Sequence, residues 1–220
     1  MSLSIASYSG PLSGCDTATQ ITSAAEAQCL FDNTPYYFIF RYISNYASEQ
    51  PGDLSHEELL NLTGAGWLVG VVQHALAGGT TVTSSLGTTM GDRAVANAKS
   101  VGVPENAWLW LDIENYNTTY SKPFDFCQAW ANAVKAGHYV PALYYGAPGL
   151  SASQVKGLVS SGDFKTSWAG CGQTRGIGES INQGPCVVQA SATCSGSTYT
   201  VGIDEDTLLS GKSATFVYNN

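Results

Sequence analysis

The chain has 220 residues and a formal net charge of −8, with nine Lys and Arg scattered among 17 Asp and Glu. That balance excludes nucleic acid as a partner, because there is no basic stripe to neutralise phosphates. Only 12% of residues are charged and 44% are hydrophobic, yet no apolar run approaches the ~20 residues that span a bilayer, which excludes membrane insertion.

In chain order, a polar N-terminal segment leads into a short strand, Leu12 to Asp16, that ends in an acid. Thr17 and Gln20 offer a capping box for a helix over about residues 18–31. Tyr36 to Ile43 is a strong strand with one charge in it, Arg41, which needs a partner. Leu54 and Ser55 followed by Glu58 and Leu59 start a second helix that stops at Gly64 or Gly66. Trp67 to Gln73 is a third strand, and the polar segment 77–89 is a long connection. Asp92 to Val101 is a small-residue helix ended by Gly102 and Pro104. Next come the apolar run Trp108 to Ile113 with its two carboxylates, Asp112 and Glu114, and then a helix from Ser121 and Pro123 closed by Gly137. Tyr139 to Gly146 is strand five, and Leu150, Ser151, Gln154 and Val155 open a fifth helix that runs to about Ser160. Phe164 to Ala169, Cys186 to Ala190 and Thr200 to Asp204 complete eight strands. The Gly- and Gln-rich segment between Gly170 and Pro185 is not read as a helix.

Strands alternating with helices imply a parallel sheet, and eight units of about 27 residues imply a small, modified (β/α)8 barrel of the TIM type with reduced C-terminal helices. A doubly wound open sheet is the alternative. One domain over residues 1–220 is expected, since nothing resembles a long linker. Gly64 and Gly66 lie before a strand, where a dinucleotide fingerprint does not belong.

Six cysteines without a C-x-x-C pair, and three histidines without an H-E-x-x-H motif, argue for disulfides rather than a metal site, and so for an oxidising compartment. Fifteen connectivities are open. A local Cys15–Cys29 bridge and a cluster of Cys171, Cys186 and Cys194 are expected, with buried free thiols as the alternative. Met1 to Ile5 is not an intact secretion signal, while sequons at Asn61 and Asn117 fit a secreted chain.

Side chains at i and i+2 of a strand share a face roughly 6–7 Å apart, so Asp112 and Glu114 share one site. Paired acids at a sheet rim are equipment for cleaving glycosidic bonds. In a barrel the chemistry lies at the C-terminal strand ends. The polar residues ending these runs are Asp16, Arg41, Gln73, Asp112, Glu114, Tyr145, Trp168, Gln189 and Asp204. They are expected to face one mouth, with Glu114 as general acid, Asp112 ionised beside it, Asp16 and Asp204 orienting the reacting groups, and Arg41, Gln73, Tyr145, Trp168 and Gln189 contacting substrate. This chemistry needs no metal and no organic cofactor.

The runs Gly14-Cys15-Asp16-Thr17, Gly91 to Ala94 through Gly102 to Pro104, Leu111-Asp112-Ile113-Glu114, Pro141 to Gly146 and Val201 to Asp206 resemble the Rv2525c-like glycoside hydrolase-like family, itself similar to the family 25 lysozymes. The resemblance covers about residues 12–208 and implies a modified barrel and N-acetylmuramidase chemistry on peptidoglycan. It matches the lysozymes' D-x-E to Asp112 and Glu114, with the Glu as the acid, their first-strand Asp to Asp16 and their last-strand Asp to Asp204. Val188-Gln189-Ala190 departs from their seventh-strand Trp-Gln-Tyr. The expected function is a secreted, monomeric hydrolase of an amino-sugar polymer of the cell wall. The alternatives are a non-catalytic glycan-binding barrel and a protein-binding mouth.

Overall fold

A computed structural model describes residues 2–147, 149–171, 173 and 179–220. Eight strands close on one another: β2 (Leu12–Thr17), β3 (Phe38–Ile43), β4 (Leu68–Gln73), β5 (Trp108–Ile113), β6 (Val140–Tyr145), β7 (Ser167–Ala169), β8 (Ile181–Gln183) and β10 (Ser197–Leu208). From β2 to β8 every neighbouring pair is parallel, whereas β10 runs antiparallel to both β2 and β8 and completes the circle. The expected α/β barrel is therefore present, with one reversed strand.

Alternating side chains fill the interior. Phe38, Phe40, Val72, Trp108, Trp110, Ala142, Tyr144, Trp168, Ile181 and Leu208 form one buried cluster inside the barrel. Large rings on some strands require nothing at all on others. A Cβ at Gly14 would overlap the Phe38 ring, and one at Gly70 the Phe40 ring. The opposite faces of the strands, with Ile39, Val69, Val71, Leu109, Leu111 and Leu143, build a second cluster against the helices.

The five helices are α1 (Ala24–Asn33), α2 (His56–Ala65), α3 (Ser84–Val101), α4 (Pro123–Ala136) and α5 (Ala152–Ser160). α2 has its Ser55 cap and left-handed Gly66 end, and α5 has the full Ser151–Gln154 capping box. Two boundaries differ from expectation. α1 is capped by Ser23, six residues later than Thr17, because Thr17 stays in β2 and its hydroxyl donates to the Gly202 carbonyl at 2.7 Å. α3 starts at Ser84 on a Thr83 cap, which shortens the connection placed at 77–89.

The seventh barrel strand is also not the expected one. β8 lies in the Gly- and Gln-rich segment, of which residues 172 and 174–178 fall outside the described residues. The run after Cys186 is instead β9 (Val188–Cys194), which forms an antiparallel hairpin with the first half of β10, off the barrel. The N-terminal segment forms β1 (Leu3–Ser9), paired with β11 (Ser213–Asn219). Phe216 of β11 lies 5.1 Å from Phe38 between ring centres, adding this ribbon to the interior cluster.

The bridges are Cys29–Cys194 and Cys171–Cys186, while Cys15 and Cys127 are buried thiols. The expected Cys15–Cys29 pair is corrected: the β9 hairpin folds over α1 and brings Cys194 to Cys29. Cys15 is held among Ile21, Leu30 and Ile39 on the helix-facing side of β2.

Candidate active site at the barrel mouth

Asp16 and Asp204 are direct partners across the antiparallel pair of β2 and β10, so both side chains point the same way, into the mouth. Gln183 at the end of β8 bridges them, its Nε2 donating to Asp16 Oδ2 at 3.0 Å and to Asp204 Oδ2 at 2.9 Å. Its Oε1 accepts from the Tyr144 hydroxyl at 3.2 Å and from the Cys171 backbone N–H at 2.7 Å, so the amide is fixed in one orientation. Tyr42 donates to Asp16 Oδ1 at 2.9 Å. His74 stacks on Tyr42 at 4.7 Å and pairs with Asp53 at 3.2 Å. An open cleft of about 320 Å³ reaches this centre, lined by Asp16, Thr17, Tyr42, Val187, Gly202 and Asp204.

β5 supplies the other two acids. Asp112 follows the inward-facing Trp108 and Trp110 by even steps, and is buried with Oδ1 lacking a hydrogen-bond partner. Glu114, one step further, is half-buried and accepts from the Asn115 amide at 3.2 Å. Asn115 has φ of 55°, a left-handed conformation that Asn tolerates better than most residues. Gly146, just past β6, leaves the space that Glu114 Oε2 fills, and a Cβ there would overlap the carboxylate.

The mouth raises the proton affinity of Asp16, Asp112 and Glu114. Burial pushes Asp16 up to about 7, with the charge of Asp204 adding to it and the donors Tyr42 and Gln183 working against it. Burial, then the charges of Glu114 and Asp16, hold Asp112 well above the usual carboxylate range. Glu114 is raised by burial and by Asp204. An Asp112 ionised in mildly acidic solution, as the sequence reading expected, does not fit this enclosure. Asp16 and Asp204 border the open cleft instead.

Four of the nine candidates, Asp16, Asp112, Glu114 and Asp204, come together. The other five do not. Arg41, Gln73 and Tyr145 are each one residue out of phase with the inward-facing set, and a one-residue step moves a strand side chain to the opposite face. Arg41 is wholly buried toward the helices, where it pairs with Glu58 at 2.7 Å and binds the carbonyls of Thr17 and Gly52. Gln73 donates to the Met90 carbonyl at 2.9 Å and accepts from the Trp130 indole at 2.7 Å, between α3 and α4. Tyr145 donates to Glu179 at 2.9 Å on the outer face. Trp168 does point inward, but it has no exposed surface and stacks on Phe40 at 4.5 Å as core. Gln189 is exposed on the hairpin opposite Gly202.

The residues missed are their in-phase neighbours Tyr42 and Tyr144, together with Gln183, while Asp206, weighed in the sequence only as a competitor of Asp204, lies beneath it. The first two were available from strict alternation on β3 and β6. Asp206 was available from the D-x-D step on β10.

The family model for the Rv2525c-like, glycoside hydrolase-like domain matches residues 28–207. No curated protein matches the chain in sequence. Among solved structures, the Mycobacterium tuberculosis Tat-secreted protein Rv2525c in complex with L-tartrate aligns at TM-score 0.65 with 15% identity, over 92% of this chain and 97% of that one. A Streptococcus pneumoniae virulence factor, the glycosyl hydrolase 25 GHIP, aligns at 0.56 with 13% identity, over 90% and 87%. The S. pneumoniae autolysin LytC in complex with a synthetic peptidoglycan ligand aligns at 0.56 with 9% identity, over 89% of this chain and 46% of that one. At these identities the likeness is one of fold.

Proposed function

This chain belongs to the Rv2525c-like, glycoside hydrolase-like domain family, and from that premise and its acid-lined mouth we propose that it is a secreted hydrolase of the amino-sugar glycan of peptidoglycan. The observation that carries the reading is the half-buried Glu114 carboxyl, raised in proton affinity by burial and by the charge of Asp204, which lines the open cleft. A general acid must hold its proton at working pH, and such a group does so in mildly acidic solution.

In the proposed reaction Glu114 gives its proton to the glycosidic oxygen as the bond from that oxygen to the sugar carbon breaks, the bonding pair staying on the oxygen. Positive charge grows on the sugar ring. Asp204, held beside Asp16 by the Gln183 amide, stabilises that charge through preorganised electrostatics, and Asp16, raised to about 7, orients the reacting sugar as a hydrogen-bonding group. Water then adds to the sugar carbon and its released proton restores the acid form of the site. Asp112, enclosed behind Glu114, is a neutral acid that crowds Glu114 without adding charge. A negative surface favours an acidic working pH too, since it repels anionic wall polymer at neutrality. The Cys29–Cys194 and Cys171–Cys186 bridges support an oxidising, extracellular location.

The test is release of reducing ends from purified peptidoglycan between about pH 3 and 8. Activity is expected to peak below neutrality, and Glu114→Gln is expected to lower kcat by ~10²-fold or more while glycan binding survives. A parent protein that binds glycan but releases no reducing ends across that range is a binding barrel, and the reading fails.

A further inference from the structure

Asp206 lies two residues beyond Asp204 on β10, opposite Gly14 on β2 and Gln183 on β8. This register sets it one pleat below the Asp16–Asp204 pair and one above the core residue Leu208. It is 2% exposed, and no N–H or O–H of a neutral neighbour donates to either carboxyl oxygen, which leaves the Asp16 carboxyl as the group within its hydrogen-bonding reach. The Trp168 indole N–H on β7 is near enough to favour the charged form, but is not in hydrogen-bonding geometry. The titratable groups facing Asp206 are Asp16 on β2, Asp204 on its own strand and the Tyr144 hydroxyl on β6, with the Cys15 thiol on the far side of β2. All of them are neutral or negative. A buried carboxylate with no donor and only such neighbours is strongly disfavoured, and the inexpensive alternative is to keep the proton.

We propose that Asp206 is a positioning residue: a carboxylic acid that stays protonated beneath the mouth and shares its proton with Asp16, so that Asp16, which faces the cleft, is the member of the pair that ionises as pH rises. Asp16 then has three donors from three directions, Tyr42, Gln183 and Asp206, which hold its proton affinity to about 7 against burial and the charge of Asp204. Burial, followed by the charge of Asp16, raises Asp206 well above the usual carboxylate range, while Asp206 in turn lowers Asp16. The value of Asp16 to catalysis rests on the proposed hydrolase, whereas the location of the proton does not.

The experiment compares the parent with Asp206→Asn, which is neutral and still offers an N–H, and with Asp206→Leu, which is neutral and offers none. Folding stability is measured by urea unfolding from pH 4 to 8, and the Asp16 carboxyl is titrated by carbon NMR of aspartate-labelled protein. A folded-state group with raised proton affinity stabilises below its unfolded pKa and loses that contribution as pH rises, so the parent's folding constant is expected to fall by up to ~tenfold per pH unit for each retained proton. Asp206→Asn is expected to remove one proton's share of that slope and to leave the Asp16 titration near the parent's. Asp206→Leu is expected to move Asp16 upward by about one pH unit or more. An Asn variant with the parent's slope means that Asp206 is ionised in the folded protein, which overturns the proposal. If Asp206→Leu does not fold, the Asn slope alone decides. Absence of glycan hydrolysis with the expected slopes refutes the hydrolase and leaves the proton assignment standing.

Discussion

Gly146→Ala tests whether Glu114 acts from the position the barrel assigns to it. Gly146 is buried beside Glu114, and its backbone is not in the left-handed region, so alanine meets no conformational penalty. The new methyl would occupy the place of Glu114 Oε2, and the carboxyl must retreat by about 1 Å or more, a misplacement that costs on the order of 10²-fold in a preorganised site. Overpacking of this kind costs about 1–3 kcal/mol, which lowers Tm by roughly 2–12 °C in a chain of this size and leaves the variant folded at assay temperature. The loss is expected in kcat with KM little changed, because the displaced proton matters only in the transition state. Gly64→Ala is the control: nothing lies within 4 Å of its added Cβ on α2, and it should keep full activity with a gain of about 0.5–1 kcal/mol. A folded Gly146→Ala protein that hydrolyses peptidoglycan within about threefold of the parent's kcat would refute the reasoning, because the geometry allows no such substitution without moving the acid.

The two bridges should differ in weight. With sequence separations of 165 and 15, loop-closure entropy assigns about 5 kcal/mol to Cys29–Cys194 and about 3 kcal/mol to Cys171–Cys186, so Cys29→Ser should lower the urea midpoint more than Cys171→Ser; the reverse order would refute the assignment. Arg41→Met should destabilise by roughly 3–5 kcal/mol by leaving Glu58 buried and unpaired, and Arg41→Met with Glu58→Leu should recover part of that. A single variant as stable as the parent would refute the structural weight given to the Arg41–Glu58 pair.

The barrel was legible because buried strands write themselves as continuous apolar runs, and Tyr36 to Ile43, Trp67 to Gln73 and Trp108 to Ile113 all do so. β7 and β8 are three residues each, too short to carry a pattern, so Ile181–Gln183 was invisible and the longer β9 took its place. The hairpin was also mistaken for barrel because half of β10 belongs to each. At the mouth, the acids spaced two apart were found while Arg41, Gln73 and Tyr145 were misassigned, and the cause is the same in all three. The last polar residue of an apolar run does not mark the inward face; only counting from a residue of known direction does. Counting from Asp16 through its register with Phe40 gives Tyr42, and from Asp112 through Tyr144 it gives the hydroxyl that fixes Gln183. Of the disulfides, Cys171–Cys186 falls within the expected cluster, while the Cys15–Cys29 pairing failed for a different reason: Cys29 and Cys194 are far apart in the chain, and nothing local records that the hairpin returns to α1.

The reversed direction of β10 explains why this mouth is so acidic. An antiparallel closing strand enters from the cleft side, so its D-x-D step runs downward from the rim and sets Asp204 at the opening and Asp206 beneath it, while D-x-E on parallel β5 runs upward from the buried Asp112 to the half-buried Glu114. Each strand thereby contributes one acid nearer the rim, Asp204 or the half-buried Glu114, and one enclosed below it. No arrangement of like charges this close is stable fully ionised, and the enclosed members Asp112 and Asp206 are the ones held furthest toward the protonated form. Proton retention has the same sign for stability and for acid catalysis. Both are favoured as pH falls below neutrality, so the burial that makes Glu114 a usable proton donor also contributes folding stability under the conditions in which that donor works, against the opposite contribution of His74, whose burial lowers its proton affinity.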